Sequence, residues 1–238
     1  MESDLRHLSI PELEAFPGLS HAFFTRQADV LSNPHPLPVS SAQPFLVQQA
    51  HGTNVLVLDQ DNATKIQPED FQADAVVTDL KGLPLGVLTA DCVPIIFYDP
   101  NQDVIGIAHL GWRGTLGNLA QGTVESMIRN FQCRPEDIRA ALGPAIGPCC
   151  YYLGEPVAQQ FQKAFPYFSD FSQERKEGGF WLDLVAANAT ALKEAGLKKS
   201  NIFPLGICTC CRQDLFFSYR GSKGQCGRQL SVVMLRAS

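Results

Sequence analysis

Three residues able to bind a soft metal ion stand in three separate glycine-punctuated segments: His51 in QQAHG, Cys92 in TADC and His109 in AHLGWRG. The chain has only five histidines, so two of them in such company form a pattern worth testing. One thiolate and two imidazoles supply three protein ligands and leave a fourth tetrahedral position open, which separates a catalytic zinc site from a closed structural one. The bland alternative makes both histidines satisfied turn residues and Cys92 a small buried hydrophobe.

Other residues could serve such a centre. Asp91, beside Cys92, could relay protons for water activated at the open position, or could simply cap a turn. Gly111-Trp112-Arg113-Gly114 opens a helical stretch, so free N–H groups and the Arg113 guanidinium would form an anion cradle. Its plainer reading is a glycine turn with Arg113 in solvent. Ser218, Tyr219, Arg220 and Arg228 offer further donors for an anion, and Asp183 reads as a helix N-cap. Cys208 and Cys211 make one CxxC, with Cys149, Cys150 and Cys226 elsewhere. That set admits a second metal or a redox pair, but a single CxxC without a matching partner is read as non-catalytic thiols.

These residues need elements to position them. Residues 45–49, 54–58, 73–78 and 85–88 read as strands, as do 94–98 (PIIFY) and 104–108 (VIGIA), which flank the turn DPNQD. If the last two form a hairpin, the turn decides which residues face each other. A four-residue turn at 99–102 sets Cys92 opposite His109, whereas a two-residue turn at 101–102 sets it opposite Gly111 with His109 on the diagonal. Both put thiol and imidazole on one face, roughly 5–8 Å apart at Cβ. After Gly114 the apolar spacing becomes helical through Phe131. Residues 138–142 read as a strand, 155–164 and 184–195 as helices, and 202–206, 216–219 and 230–235 as closing strands. The proline- and serine-rich stretch 29–44 reads as a loop. Strands mixed with three helices, without regular βαβ alternation and without a linker, indicate an α+β fold in one domain, residues 1–238.

Composition narrows the class. A net charge of −5 argues against general nucleic-acid binding, though it says nothing of one local anion pocket. The N-terminus is charged and interrupted by proline, and no apolar run nears the roughly 20 residues of a membrane span. A cytoplasmic protein without a membrane partner is expected, with its eight cysteines as thiols or ligands. Composition points to no protein partner.

Taken in order, HG, TADCVPI, AHLGWRG, ALGPAIGPCCY, the WLDL helix and the C-terminal CT, FFSYR and GR resemble the YfiH-like laccase-domain family, formerly described as multicopper polyphenol oxidoreductases. The likeness runs from about Gln49 to the C-terminus. It implies a single-domain four-layer α/β/β/α sandwich with mixed sheets and a zinc-dependent enzyme. The implied reactions use purine nucleosides: phosphorolysis of adenosine, inosine, guanosine and methylthioadenosine with inorganic phosphate, and deamination of adenosine. The family's metal ligands fall on His51, Cys92 and His109, while Arg26, Arg113 or Arg220 would orient phosphate and Asp91 would shuttle protons. The chain departs from the family twice. Of its N-terminal TRxGGVS only Thr25-Arg26 survives, and its YEV after the cysteine pair is Tyr151-Tyr152-Leu153.

Three rival readings differ in mechanism. A copper oxidase would need more imidazoles than five and an axial Met. A thiol hydrolase would use Cys92 as nucleophile and His109 as base without metal. A non-catalytic metal-binding module would turn over no nucleoside.

Overall fold

The computed structural model describes residues 5–28, 43–63 and 65–237. In chain order the strands are β1 (His7–Leu8), β2 (Leu19–Phe24), β3 (Val55–Leu58), β4 (Ala75–Thr78), β5 (Leu85–Thr89), β6 (Val93–Asp99), β7 (Val104–Leu110), β8 (Arg139–Leu142), β9 (Tyr152–Leu153), β10 (Ser172–Glu174), β11 (Phe180–Leu182), β12 (Ile202–Pro204) and β13 (Gln229–Leu235). The α-helices are α1 (Pro11–Glu14), α2 (Trp112–Leu116), α3 (Leu119–Phe131), α4 (Glu155–Ala164) and α5 (Leu184–Glu194). A six-stranded mixed sheet runs β12-β8-β6-β7-β4-β3, a four-stranded antiparallel sheet β1-β2-β13-β5, and a small sheet β10-β11-β9.

β6 and β7 explain the layering. Both are buried along their whole length, and their near-continuous apolar runs reflect cover on both faces. Ile95, Phe97, Ala108 and Leu110 join Val124, Met127 and Leu192 of the helices in one core. Ile96, Ile105 and Ile107 point the other way and pack with Val87 and Val233 of the smaller sheet. Strand period two thus divides one sheet between a helical layer and a second sheet. This is the layered α+β arrangement that the element pattern indicates.

The hairpin pairs Val93 with Leu110 and Asp99 with Val104, leaving residues 100–103 as the turn. His109 lies opposite Pro94 and diagonal to Cys92, the register foreseen for the shorter turn. The turn is longer because the Asp99 carboxylate accepts the N–H groups of Asn101 and Gln102 at 2.8 and 3.2 Å, closing an Asx turn inside the strand ends.

Helices at 155–164 and 184–194 match their sequence signals. Asp183 caps the second by accepting the Ala186 N–H at 2.8 Å, and Gly196 ends it at φ +97°. The stretch after Gly114 divides into α2 and α3, because Asn118 adopts a left-handed conformation at φ 59° and breaks the ladder.

Elsewhere the structure differs from the sequence reading. Residues 45–49 form no strand; Phe45 and Gln48 pair with Leu85 and Gln72 as isolated bridges. The Gln49 side chain substitutes for strand pairing by clasping both backbone groups of Leu88 at 2.8 Å. Residues 216–219 form no strand: the Gln229 side chain accepts the Phe217 N–H in place of a strand partner. β2, unread in the sequence, lies beside β13 in the smaller sheet; burial on both faces removes its alternation, and Ser20 and His21 disguise it further. The predicted loop at 29–44 falls largely outside the described residues. Among the described residues no helix is long and apolar enough to cross a membrane.

Candidate metal centre and its cavity

His109 stands near the end of β7, Asp74 immediately precedes β4, and Cys92 immediately precedes β6. Pairing of Ala75 with Ala108 puts Asp74 beside His109, and these strand ends meet at one end of the six-stranded sheet. The ligand atoms of His51, Cys92 and His109 all lie within 4.8 Å of one another. The two imidazole rings stand nearly perpendicular, 86° apart with centroids 4.7 Å apart. Burial grades across the trio: His109 is buried, Cys92 half-buried and His51 exposed.

One residue missed in the sequence organises this set. The Asp74 carboxylate is 1% exposed and accepts four hydrogen bonds. Three come from the N–H groups of Ala50, His51 and Gly52 at 3.2, 3.0 and 2.6 Å, and one from His109 Nδ1 at 2.8 Å. The first three hold His51 at φ 57°, a costly left-handed conformation for a non-glycine residue. The fourth fixes the His109 tautomer and leaves Nε2 as its ligating atom, the usual outer-shell arrangement for a metal-bound histidine. The available sequence signal was an aspartate at the start of an apolar strand, which reads equally well as a turn residue.

Electrostatics follow from these contacts. Burial works against a charged imidazole at His109, but Asp74 and Cys92 raise it to about 9. Burial likewise pushes the Cys92 thiol up, yet His109 and His51 more than offset that and bring it down to about 7. Burial would raise the Asp74 carboxyl too, and its hydrogen bonds from His109 and the 51–52 loop overcome this and lower it. These contacts favour a proton on His109, which a metal ion binding there would have to displace. Affinity for Zn²⁺ is expected to rise between pH 6 and 9, by about tenfold per pH unit for each proton displaced. Competition titrations against a chromophoric chelator at several pH values check this, and an affinity independent of pH would contradict it.

Gly111 makes room for the trio. A Cβ there would lie 3.0 Å from Cys92 Sγ and 3.3 Å from His51 Cδ2. Gly111→Ala is expected to fold normally yet bind zinc at least roughly tenfold more weakly, since small displacements of a ligand shell carry such costs. Unchanged affinity in the same titration would refute this reading of the glycine.

The trio lines a cavity of about 850 Å³, within the range of small-molecule sites. Trp112, Tyr151, Tyr152 and Tyr219 contribute aromatic surface, Val47, Leu88 and Val157 apolar surface, and Arg113, Arg220 and Arg228 positive charge. Arg113 reaches the cavity with its guanidinium 4.4 Å from the centroid of the Trp112 ring. Gly111 is the N-cap of α2, whose five residues give the proposed cradle little helical dipole. Arg220 donates through its side chain to the carbonyls of Cys150 and Tyr152, both at 3.2 Å. Asp91 is on the wall, but both its oxygens are engaged, one with Thr209 Oγ1 at 2.7 Å and the other with the Arg220 N–H at 2.6 Å. Its geometry is that of a brace more than a proton relay. Arg26 is not among the lining residues: it donates to the Gln213 carbonyl at 2.7 Å and stacks over Phe217 at 4.9 Å.

Comparison with known proteins decides the family. The family model described as multi-copper polyphenol oxidoreductase laccase matches residues 22–236. The chain belongs to this YfiH-like laccase-domain family. Among its relatives is the purine nucleoside phosphorylase YlmD of Geobacillus stearothermophilus, 37% identical over 78% of this chain and 70% of its own. A crystal structure of YlmD from that organism superposes with a TM-score of 0.82, at 31% identity and 93% coverage of both chains. A purine nucleoside phosphorylase of Deinococcus radiodurans is 36% identical over 95% of this chain and 93% of its own. Adenosine deaminase RL5, from an unknown prokaryotic organism, is 36% identical over 78% of this chain and 72% of its own. As a laccase-domain protein with such relatives, the chain is an enzyme.

Proposed function

We propose that this laccase-domain protein is a zinc-dependent purine nucleoside phosphorylase that also deaminates adenosine. The observation that carries the reading is the convergence of His51, Cys92 and His109 on the wall of a nucleoside-sized cavity. Relatives named purine nucleoside phosphorylase and adenosine deaminase support it. His51, Cys92 and His109 would hold the zinc, which when bound supplies Lewis-acid polarisation and activates water.

The chain's own residues do the remaining work. Arg113 and Arg220 bind inorganic phosphate and orient it toward the anomeric carbon, with a planar guanidinium fork suited to phosphate oxygens. Trp112, Tyr152 and Tyr219 offer faces for the purine, and Val47, Leu88 and Val157 keep water from the sugar. Asp91 holds the Arg220 backbone in place. Arg26 has no part in this reading. Residues 1–238 work as one domain, because the cavity draws on segments from Val47 to Arg228. The eight unpaired thiols suit the reducing cytoplasm.

Zinc is favoured over copper by the residues around the site. A blue-copper centre adds an axial Met, but Met127 lies in the helical core and Met234 on the outer face of the smaller sheet. His21 spends its Nε2 on the Ile10 N–H. A metal-free thiol hydrolase has one observation in its favour, the succession Asp74, His109, Cys92, which would orient a base toward a nucleophile. Activity that survives exhaustive chelation would install that reading instead.

The deciding assay incubates the zinc-loaded protein with adenosine, with and without phosphate. Adenine formed only with phosphate, together with some inosine, is expected. Absence of both products would end the proposal.

A further inference from the structure

Outside the His51–Cys92–His109 set, four more thiols converge. Backbone pairing brings their two segments together. Ala145 and Cys208 form a parallel bridge, with the Ala145 N–H donating to Ile207 at 3.2 Å and the Thr209 N–H to Ala145 at 3.0 Å. Each segment then turns sharply. The Cys150 N–H reaches the Gly147 carbonyl, and the Arg212 N–H reaches that of Cys208, both at 3.0 Å. As a result the sulfurs of Cys149, Cys150, Cys208 and Cys211 all lie within 4.8 Å of one another. Cys211 Sγ is 3.4 Å from Cys149 Sγ and 3.5 Å from Cys150 Sγ.

We propose that Cys149, Cys150, Cys208 and Cys211 form a second, closed metal site that takes one zinc ion. Four sulfurs at about 2.3 Å from a tetrahedral zinc stand about 3.8 Å apart, close to the spacings seen. An iron–sulfur cluster interposes sulfide-bridged irons between its thiolates and requires a wider set. An all-sulfur shell also rejects magnesium, calcium and manganese, which prefer oxygen. On binding, each thiol releases its proton to solvent and each sulfur donates a lone pair to the ion, so no oxidant or reductant takes part. The Gly147 N–H already points at Cys208 Sγ at 3.2 Å, an outer-shell donor for a negatively charged sulfur. A Cβ at Gly147 would crowd the set, at 3.2 Å from Cys208 Cβ and 3.4 Å from Cys149 Sγ.

The second ion fastens the wall of the cavity. Thr209, one residue from Cys208, braces Asp91, as does Ile146, whose N–H donates to the Asp91 carbonyl at 2.9 Å. Arg220 hangs on the carbonyl of Cys150. With four protein ligands the ion has no open corner, so its role is structural.

The test uses the full chain purified under a phosphine reductant with zinc supplied. Metal analysis is expected to find roughly two zinc ions per chain, with one left in His109→Ala and one in the double variant Cys208→Ser/Cys211→Ser. Thiol alkylation of the parent guards against a variant that misfolds. Cys149 and Cys211 are exposed, yet in the zinc-loaded protein they should resist iodoacetamide far longer than Cys226, and lose that protection on chelation. A single zinc that disappears in His109→Ala overturns the proposal. So does alkylation of Cys149 and Cys211 at the rate of Cys226, or their recovery as disulfides. The outcome is independent of whether the cavity processes nucleosides.

Discussion

His109→Ala is expected to lose both the metal ion proposed for the cavity and all measurable turnover. The variant removes one of the three clustered donors found among the described residues, and the one that is most buried. Loss of an outer-shell partner already costs roughly 10–100-fold in affinity or activity, so loss of the ligand itself should exceed that. It also strands Asp74, which would keep three backbone donors and lose the His109 side chain as a partner. Zinc content and the adenosine assay, run on the same preparation, give the answer. A variant that stays active without metal in the cavity would remove these ligands from the mechanism altogether.

Asp74→Asn should have the second-largest effect, and it acts at a distance from any substrate. The amide keeps the shape but loses the charge that four hydrogen-bond donors converge on. Hydrogen bonds to charged groups contribute about 1.5–3 kcal/mol each, so a stability loss of about 3 kcal/mol is expected in denaturant unfolding. Zinc affinity should fall roughly 10–100-fold as the His109 ring and the His51 loop lose their fixed orientation. The pH dependence has a definite sign. Hydrogen bonding lowers the Asp74 carboxyl below its ordinary value, so its contribution is present at neutral pH and lost as pH falls through that lowered value. The gap in stability between parent and variant should therefore close on the acid side. An Asn variant with parental affinity and an undiminished gap at low pH would show that the carboxylate is incidental.

The convergence of His51, Cys92 and His109 was legible because the chemistry of these side chains is local. Two imidazoles and a thiol beside glycines are rare enough to notice, and hairpin parity alone puts Cys92 and His109 on one face. Asp74 was not legible, because its role arises from backbone N–H groups more than 20 residues earlier that carry no side-chain signature. Arg26 shows the opposite pull of local structure. It belongs to the Thr25-Arg26 pair that survives from the family pattern, and the local chain leads its guanidinium to Gln213 and Phe217. The helices at 155–164 and 184–194 followed from periodicity and capping, whereas β2 escaped because a strand buried on both faces loses its alternation. The cysteine set at 149, 150, 208 and 211 shows the limit of spacing rules. Its two halves are 58 residues apart at their nearest members (208 minus 150), and only the parallel bridge joins them.

The sheet order β1-β2-β13-β5 has a consequence for biosynthesis. β2 and β5 are not hydrogen-bonded to each other; the strand between them, β13, follows both of them in the chain. A nascent chain can therefore assemble the hairpin that carries His109 long before it can seal the adjoining sheet.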